Sequence, residues 1–563
     1  MTGDKEKKIA DYLGQYLPAS EPRIPIPMNP SCEVCVVIPC YAEREYLLHP
    51  LQSLARQEAV TPDQYEVIVV VNNPGVTPPL PGNSPEHYRE LLANNRETLK
   101  LLEIINGQGA DICLTPKEEE IINDIRQRGL KVYSVDKSSA GKTLPQGEAN
   151  VGGARNRGAA EAVERFLKYT GKNGIIAQTD ADTHLDPGYI HGIIDTFKKH
   201  PQVVGLSGIS EDIPGKPGDR ELMIEFLKMS GVDLYHQLLH GWFLRENPVA
   251  FVPFSGSCMA TRAIETVLAG GIPGIPGAED LQLGYNLAKI GKTIKVEEVV
   301  AFPAIRISLR TATGRGRRMA KLLNSKNSEE IQVRSIDAAY HLIHLGRQLL
   351  EARQQQRTTP RDLQKILTLD GEPLLDDHDL ERLSQHIHEF HTTWEDLLLP
   401  DLKELLRRIC DGIDDKYKPV SILAAIPLLI DMYRFIEPVK NKFPAVRTGM
   451  VQERKQDIAL LEFLLDEIFS GNQPPVHRDR ENLFRHLTFL LDHGPIPCNS
   501  QLLRRRYRLK RIAEIISCCP GKEEALDLIG IEYMKYLFLP GQEPLPGVFF
   551  DLQVLVRVLE ELK

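Results

Sequence analysis

Gly174-Ile-Ile-Ala-Gln-Thr-Asp-Ala-Asp-Thr-His-Leu-Asp-Pro-Gly188 is the stretch whose reading decides the fold. Its first part, Ile175 to Ala177, is an apolar run of the kind that becomes a buried strand. Its last part, Asp186-Pro187-Gly188, is a turn signal. Between strand and turn stand two carboxylates one residue apart, Asp180 and Asp182. At a strand end that spacing can aim both at one point. Hard oxygens so placed suit Mg2+ or Mn2+, which in turn can hold a diphosphate. An isolated Asp-x-Asp is more commonly only an acidic loop, so its weight depends on what surrounds it.

Upstream, the apolar run Val34 to Ile38 predicts a buried strand stopped by Pro39. Cys32 and Cys35 stand at its start with no second pair nearby, and core packing suits them better than zinc or redox chemistry. Glu45 to Gln57 predicts a helix with Leu47, Leu48, Leu51 and Leu54 on one face, and Glu66 to Val71 a second strand ending in Asn72-Asn73. Strand, helix and strand at this spacing make a right-handed βαβ unit with a parallel pair. Ligands in such sheets bind beyond the carboxyl ends of the strands, where Pro39-Cys40-Tyr41 and Asn72-Asn73 fall. Residues 1–30 read as a polar, Pro-rich lead, extended around Pro25, Pro27 and Pro30.

Further along, Glu86 to Ile105 and Lys117 to Gly129 predict helices, and Lys131 to Val135 a third strand. Ala140 to Gly158 is rich in glycine, carries Lys142, Arg155 and Arg157, and opens a helix reaching about Thr170. It reads equally as a phosphate-holding loop at a helix N-terminus or as a cap on an ordinary helix. It lacks Walker A spacing. Val203 to Gly208 predicts another short strand, and Pro253 to Ala260 a small-residue strand or loop. His236 and His240 lie one turn apart, but Gln237 stands where a zinc protease has Glu. Ala278 to Lys289 predicts a helix with Glu279 and Asp280 at its N-terminal end, where the dipole favours ionised carboxylates. That placement suits a base aimed into a cleft, or simple capping. Ala301 to Arg318 carries Arg306, Arg310, Arg315, Arg317 and Arg318 and reads as a basic loop, closing over a diphosphate or serving only as a linker.

The whole chain has 563 residues, a net charge of −9, 42% hydrophobic and 26% charged residues. That composition belongs to a soluble globular protein, and the acidic balance argues against a nucleic-acid partner. No signal peptide or transmembrane segment is read, and nine cysteines, an odd count, fit a reducing cytoplasm. From about Ser325 strand signals vanish and amphipathic helical periods dominate, over Ser328–Gln356, Asp379–Ile409, Val420–Ile436 and several later stretches. The expectation is an N-terminal extension over 1–30, an α/β domain over 31–324 and an all-α domain over 325–563. His386, His388 and His391 share no helical face, which argues for surface positions rather than a metal site.

Four blocks, in order, resemble the family-2 inverting glycosyltransferases of the GT-A fold, the nucleotide-diphospho-sugar transferases. Val36-Val-Ile-Pro-Cys-Tyr-Ala-Glu43 is similar to the family's first strand and its Pro-x-Tyr-Asn-Glu end. Gly152-Gly-Ala-Arg-Asn-Arg-Gly158 resembles its Ala-Arg-Asn-x-Gly helix start. Thr179-Asp-Ala-Asp-Thr183 resembles its metal-binding Asp-x-Asp, and Gly277-Ala-Glu-Asp-Leu-Gln-Leu283 its Glu-Asp-Leu segment. The chain departs from the pattern at Ala42, where Asn is usual, and at Asn72-Asn73, where Asp-Asp is frequent. It has no Gln-x-x-Arg-Trp block, so the likeness stops short of the processive synthases.

The resemblance implies a Rossmann-like, mostly parallel mixed sheet with helices on both faces. It implies transfer of a sugar from a nucleotide-diphospho-sugar to an acceptor hydroxyl, with inversion at the anomeric carbon. Pro39, Tyr41, Glu43, Asn72 and Asn73 would hold base and ribose. Asp180 and Asp182 would position Mn2+ or Mg2+ on the diphosphate. Arg155 and Arg315 would neutralise departing charge. Asp280 would take the acceptor's proton, with Glu279 as neighbour or substitute. The acceptor is open (glycan, lipid or small molecule), with peripheral membrane contact allowed. The alternatives are a sugar-phosphate nucleotidyltransferase and an inactive sugar-binding or scaffold protein.

Overall fold

The computed structural model describes residues 3–73, 85–109, 111–145, 147–210, 213–214, 254–275, 279–307, 332–389 and 400–421. The chain divides into two compact units, Met1–Asp219 with Phe251–Leu322, and Arg220–Ala250 with Leu323–Lys563. The second unit therefore takes in an internal segment of the first half of the chain.

The first unit is built on strands β1 (Val34–Cys40), β2 (Tyr65–Asn72), β3 (Val132–Lys137), β4 (Ile175–Gln178), β5 (Thr183–Leu185), β6 (Val203–Ser210), β7 (Ile213–Pro214), β8 (Met259–Arg262) and β9 (Lys292–Ile305). They join in the order β3-β2-β1-β4-β8-β6-β9-β5, with β7 on β9. Among the described residues, five of the eight pairings in this sheet are parallel. This is a mixed, mostly parallel sheet of the GT-A-like kind.

The alternation along β1 explains why helices cover both faces. Val34, Val36 and Ile38 pack with Leu51 and Leu54 of α2 (Leu48–Ala55), Leu101 and Leu102 of α3 (Pro85–Ile105), Ile122 and Ile125 of α4 (Pro116–Gln127) and Ile190 and Ile193 of α6 (Tyr189–Lys199). Cys35 and Val37 point the other way, into a core with Ala159 and Val163 of α5 (Val151–Arg165), Val267 of α7 (Ala263–Leu268), and Leu283 and Leu287 of α8 (Glu279–Ala288). A strand buried on both faces reads as a nearly continuous apolar run. Each fully buried Val or Ile of it is worth about 1.5–3 kcal/mol.

Three elements differ from the sequence expectation. The start of the polar lead, for which the sequence predicts no element, is helical over Gly3–Tyr16 (α1), with Ile9 and Tyr12 buried in the second of those cores. The helix expected over Glu45–Gln57 forms only at Leu48–Ala55. Residues Ala301 to Ile305 belong to the long strand β9 rather than to a basic loop. Pro303 sits there opposite Thr183 of the three-residue edge strand β5.

Of the second unit, the described core is helical. Leu342, Leu345 and Leu349 of Ile336–Gln354 pack with Leu380 and Leu383 of Asp377–His386 and with Leu402, Leu405 and Ile409 of Pro400–Lys416. The helix expected across Asp379–Ile409 is thus two helices, and Val420–Ser421 pairs antiparallel with Gln332–Val333 as a short ladder. The later helical stretches lie outside the described residues, as do Arg310, Arg315, Arg317, Arg318, His236, His240 and His391. No described helix is long and apolar enough to cross a membrane.

Candidate active site

Helix α5 approaches the sheet more closely than a helix with a side chain at its eighth position could. A Cβ on Gly158 would lie 2.4 Å from Val37 Cγ1 and 3.1 Å from Val70 Cγ2. Seated this low, α5 carries Arg155 under the end of β4. Asn150 caps the helix, its Oδ1 accepting from the Gly153 N–H at 3.0 Å. Gly152 and Gly153 are pressed against the carbonyl oxygens of Pro273 and Glu148. Gly152, Gly153 and Gly158 therefore serve protein packing, whereas Gly141 and Gly147 have positive φ and open space around them. Two of its three cations are also committed elsewhere: Lys142 to Asp136 at 3.0 Å, and buried Arg157 to Glu161 at 3.1 Å. Arg155 is the one that reaches the carboxylates.

Beyond β4 the chain turns back at once. The Thr183 N–H donates to the Asp180 carbonyl at 3.2 Å, closing a four-residue turn over the Asp-x-Asp. The Ala304 N–H donates to the Asp182 carbonyl at 3.3 Å and ties that turn to β9. The two carboxylates face different cations. Arg155 Nη2 donates to Asp180 Oδ1 at 2.7 Å. Arg306 Nε donates to Asp182 Oδ2 at 2.6 Å. Arg306 Nη2 also donates to both oxygens of Glu43, at 2.6 and 2.8 Å.

Asp280 arrives from the first turn of α8. Its Oδ2 accepts from the Gly256 N–H at 2.7 Å and its Oδ1 from the Leu281 N–H at 2.8 Å. Gly256 in turn accepts from Arg155 Nη1 at 2.9 Å through its carbonyl. Glu279 is buried beside them, with Oε1 3.9 Å from Arg155 Nε. One glycine thus links the helix that brings Asp280 to the arginine that holds Asp180. A Cβ on Gly256 would meet Arg155 Nη2 at 2.6 Å.

The electrostatics follow from crowding of like charge. Burial lifts the Asp180 carboxyl above its ordinary value; Asp182 and Asp280 push the same way, against Arg155. Burial also lifts Glu279, with Asp280 and Asp180 adding to it and Arg155 opposing. Burial alone would weaken the Arg306 guanidinium, but Glu43 and Asp182 more than reverse that. His184, whose ring lies tilted against that of His49 with centroids 4.7 Å apart, is driven down to about 4 by burial and stands neutral beside this cluster.

The structure brings together six of the expected site residues, Glu43, Arg155, Asp180, Asp182, Glu279 and Asp280, at the carboxyl ends of β1 and β4. Pro39 and Tyr41 lie at the end of β1, and Ala42 beside them has φ +53. That left-handed geometry is one asparagine accepts more readily than alanine. Asn72 ends β2, its carbonyl accepting from Asn95 Nδ2 at 2.9 Å, while Asn73 Nδ2 donates to the Ser138 carbonyl at 2.8 Å. The Asn73 amide thus spends one donor tying β2 to the segment after β3. Arg315 lies outside the described residues.

Sequence reading missed the parts played by Gly256, Arg306 and three serines. Ser210, Ser255 and Ser257 form a closed ring of hydroxyls, with Oγ separations of 3.1, 2.9 and 3.0 Å, on either side of Gly256. Only the small-residue run Pro253–Ala260 signalled Ser255 and Ser257, and nothing signalled Ser210. Arg306 stands out in sequence only as one of the basic residues of Ala301–Arg318, and nothing in that stretch signals its pairing with Glu43 and Asp182.

The donor set suits a hard divalent ion. Five carboxylates (Glu43, Asp180, Asp182, Glu279, Asp280) face two guanidiniums here, leaving an excess of negative charge and oxygen-only donors. Among the described residues no group of three or more His, Cys, Asp or Glu side chains is placed to hold an ion by itself. An ion at Asp180 and Asp182 would complete its shell with water and diphosphate oxygens, as Mg2+ usually does. Buried donors with unspent capacity border the place, namely Gln178 Nε2, Arg155 Nε and Thr179 Oγ1.

No protein-family model and no curated protein matches the chain. Among solved structures, residues 1–349 of Staphylococcus aureus TarS in complex with UDP-GlcNAc are 12% identical, with a TM-score of 0.31, over 68% of this chain and 92% of that one. The mannosyltransferase PcManGT from Pyrobaculum calidifontis, in complex with GDP-Man and Mn2+, is 14% identical, with a TM-score of 0.29, over 78% of this chain and 92% of that one. Likeness at this level says nothing of activity, which rests on the site itself.

Proposed function

We propose that the protein is an inverting glycosyltransferase that moves a sugar from a nucleotide-diphospho-sugar to an acceptor hydroxyl, with Mn2+ or Mg2+ as cofactor. The observation that carries this reading is the Gly256 link. It joins Asp280, a carboxylate held at a helix N-terminus, to Arg155 and through it to Asp180, so that a base and a diphosphate-binding turn share one cleft. Asp180 and Asp182 would hold the ion, which when bound withdraws charge from the diphosphate and makes it a better leaving group. Arg155 neutralises charge on the same side. Tyr41, Glu43 and the Asn72–Asn73 end of β2 take base and ribose. Asp280 removes the proton from the acceptor hydroxyl on the face opposite the leaving group, which gives inversion. Glu279, more deeply buried, supports Arg155 rather than the acceptor.

The chemistry belongs to the first unit, and the helical part after residue 325 is proposed to do none. A cytoplasmic setting accords with the six described cysteines, Cys32, Cys35, Cys40, Cys113, Cys258 and Cys410, all of which are unbridged. The acceptor, whether glycan, lipid or small molecule, is left open, and the absence of a described membrane-spanning helix allows peripheral contact. The test is thermal stabilisation by a panel of nucleotide sugars with and without Mn2+. A ligand that binds only the folded form raises the melting temperature. The expected outcome is Mn2+-dependent stabilisation by at least one nucleotide sugar, lost in Asp182→Ala. A panel without effect, or an effect unchanged in Asp182→Ala, refutes the reading.

A further inference from the structure

The two arginines of the site differ in how they are held. Arg155 lies under the sheet end with its side chain 2% exposed, enclosed by Gly256, Gln178 and Asp180. Its departure would require the α5–sheet interface to open. Arg306 follows β9 directly, and its side chain is 15% exposed. Its guanidinium lies over the Tyr46 ring at 4.3 Å and bridges Glu43 and Asp182. Glu43 and Asp182 come from the loops that leave β1 and β4, which are parallel neighbours in the sheet. One guanidinium thus spans the two carboxylates assigned above to ribose and metal. Its fork suits two carboxylates at once, a match an ammonium cannot make.

The consequence is competition. Asp182 Oδ2 is the acceptor of Arg306 Nε, and Arg306 Nη2 contacts the same oxygen. A divalent ion bound to that oxygen would sit within repulsive distance of the guanidinium. The two cations cannot share it at full strength in a site of reduced dielectric. We propose that Arg306 is a resident counter-ion of the metal site, which must leave Asp182 for the ion to bind. It would then be released toward the anionic donor. This rests on the functional reading above and deepens it. Metal affinity without nucleotide is held down by the ion pair, and a nucleotide diphosphate, by giving Arg306 another anionic partner, raises it. Arg306 acts in this scheme as a positioning residue that couples the two ligands.

The size of the effect follows from occupancy. A site closed by its own arginine nine-tenths of the time shows an apparent metal affinity about tenfold weaker than the open site. Mn2+ binding to the full-length protein, measured by electron paramagnetic resonance of the free ion with and without UDP, reads this directly and needs no turnover. Arg306→Met is expected to bind Mn2+ about tenfold more tightly than wild type without nucleotide, and to lose most of the gain that UDP gives the wild type. Asp182→Asn in either background is expected to abolish the site. Arg306→Met removes the guanidinium that Glu43 and Asp182 share, so its melting temperature without metal is followed alongside. Arg306→Lys, which keeps the charge without the fork, is expected to fall between the two and serves if the methionine variant does not fold. Equal or weaker Mn2+ binding in the Arg306 variants, with binding still dependent on Asp182, overturns the inference and leaves the functional reading standing. No Asp182-dependent Mn2+ site in any variant, with or without UDP, overturns both.

Discussion

Replacing Asp280 by asparagine alters little volume but exchanges a carboxylate oxygen for an amide. In the structure both oxygens accept backbone N–H groups, from Gly256 at 2.7 Å and Leu281 at 2.8 Å. An asparagine can satisfy only one of them, and turns an amide donor toward the other. The lost hydrogen bond to a charged acceptor is worth about 1.5–3 kcal/mol of stability. Because Gly256 also accepts from Arg155 through its carbonyl, part of that cost reaches the donor side. Loss of a general base typically slows turnover about 10²–10⁴-fold. The two effects separate in the assay. Donor affinity is measured by calorimetry with Mn2+, and turnover by release of nucleoside diphosphate with water as acceptor. The expected outcome is near-wild-type donor affinity and turnover reduced at least about a hundredfold. Parallel loss of affinity and rate would mean that Asp280 acts through Gly256 and Arg155 as a scaffold. Turnover within about tenfold of wild type would remove Asp280 as the base, since even the weakest general base contributes more.

Glu279 offers a pH test with a definite sign. Burial, Asp180 and Asp280 raise its pKa above the unfolded value while Arg155 opposes them, so its contribution to stability is full below the ordinary glutamate range and is lost as pH rises through the raised value. Glu279→Gln is therefore expected to gain stability relative to wild type from pH 4 to pH 7 in metal-free urea unfolding, and a pH-independent difference refutes it. Arg165 supplies the contrast of a structural ion pair: it holds Glu66 with two bonds of 2.7 Å, both side chains 2% exposed. Arg165→Met is expected to cost about 3–5 kcal/mol, because it leaves a buried carboxylate unpaired, with donor affinity unchanged; a loss below about 1 kcal/mol, the level of an exposed pair, refutes it.

The sheet was legible where burial writes itself into local sequence. Val34 to Ile38 and Val67 to Val71 are unbroken apolar runs because helices cover both faces, and β1 and β2 pair in parallel as expected. What escaped was structure set by distant partners. Strand β5 has three residues, too few to show a period. Strand β9 is interrupted in sequence by Lys295, Glu297, Glu298 and Pro303, which break the apolar run that would mark a buried strand. Helix α1 did carry a signal, since Ile9, Tyr12, Leu13 and Tyr16 fall at helical spacing and line the core, but its charged residues masked it. The same division runs through the site. Asp180, Asp182, Arg155 and Asp280 each sit at the end of a recognisable element, so their types and order pointed to the chemistry. Arg306 and Gly256 owe their place to β9 lying beside β5 and to the closeness of Arg155, and neither pairing is written within about 20 residues of chain. A residue's chemistry is read from its neighbours in sequence only when those neighbours also position it. For Arg306, 263 positions of sequence separate it from Glu43, and only the folded sheet brings the cation to the two carboxylates it bridges.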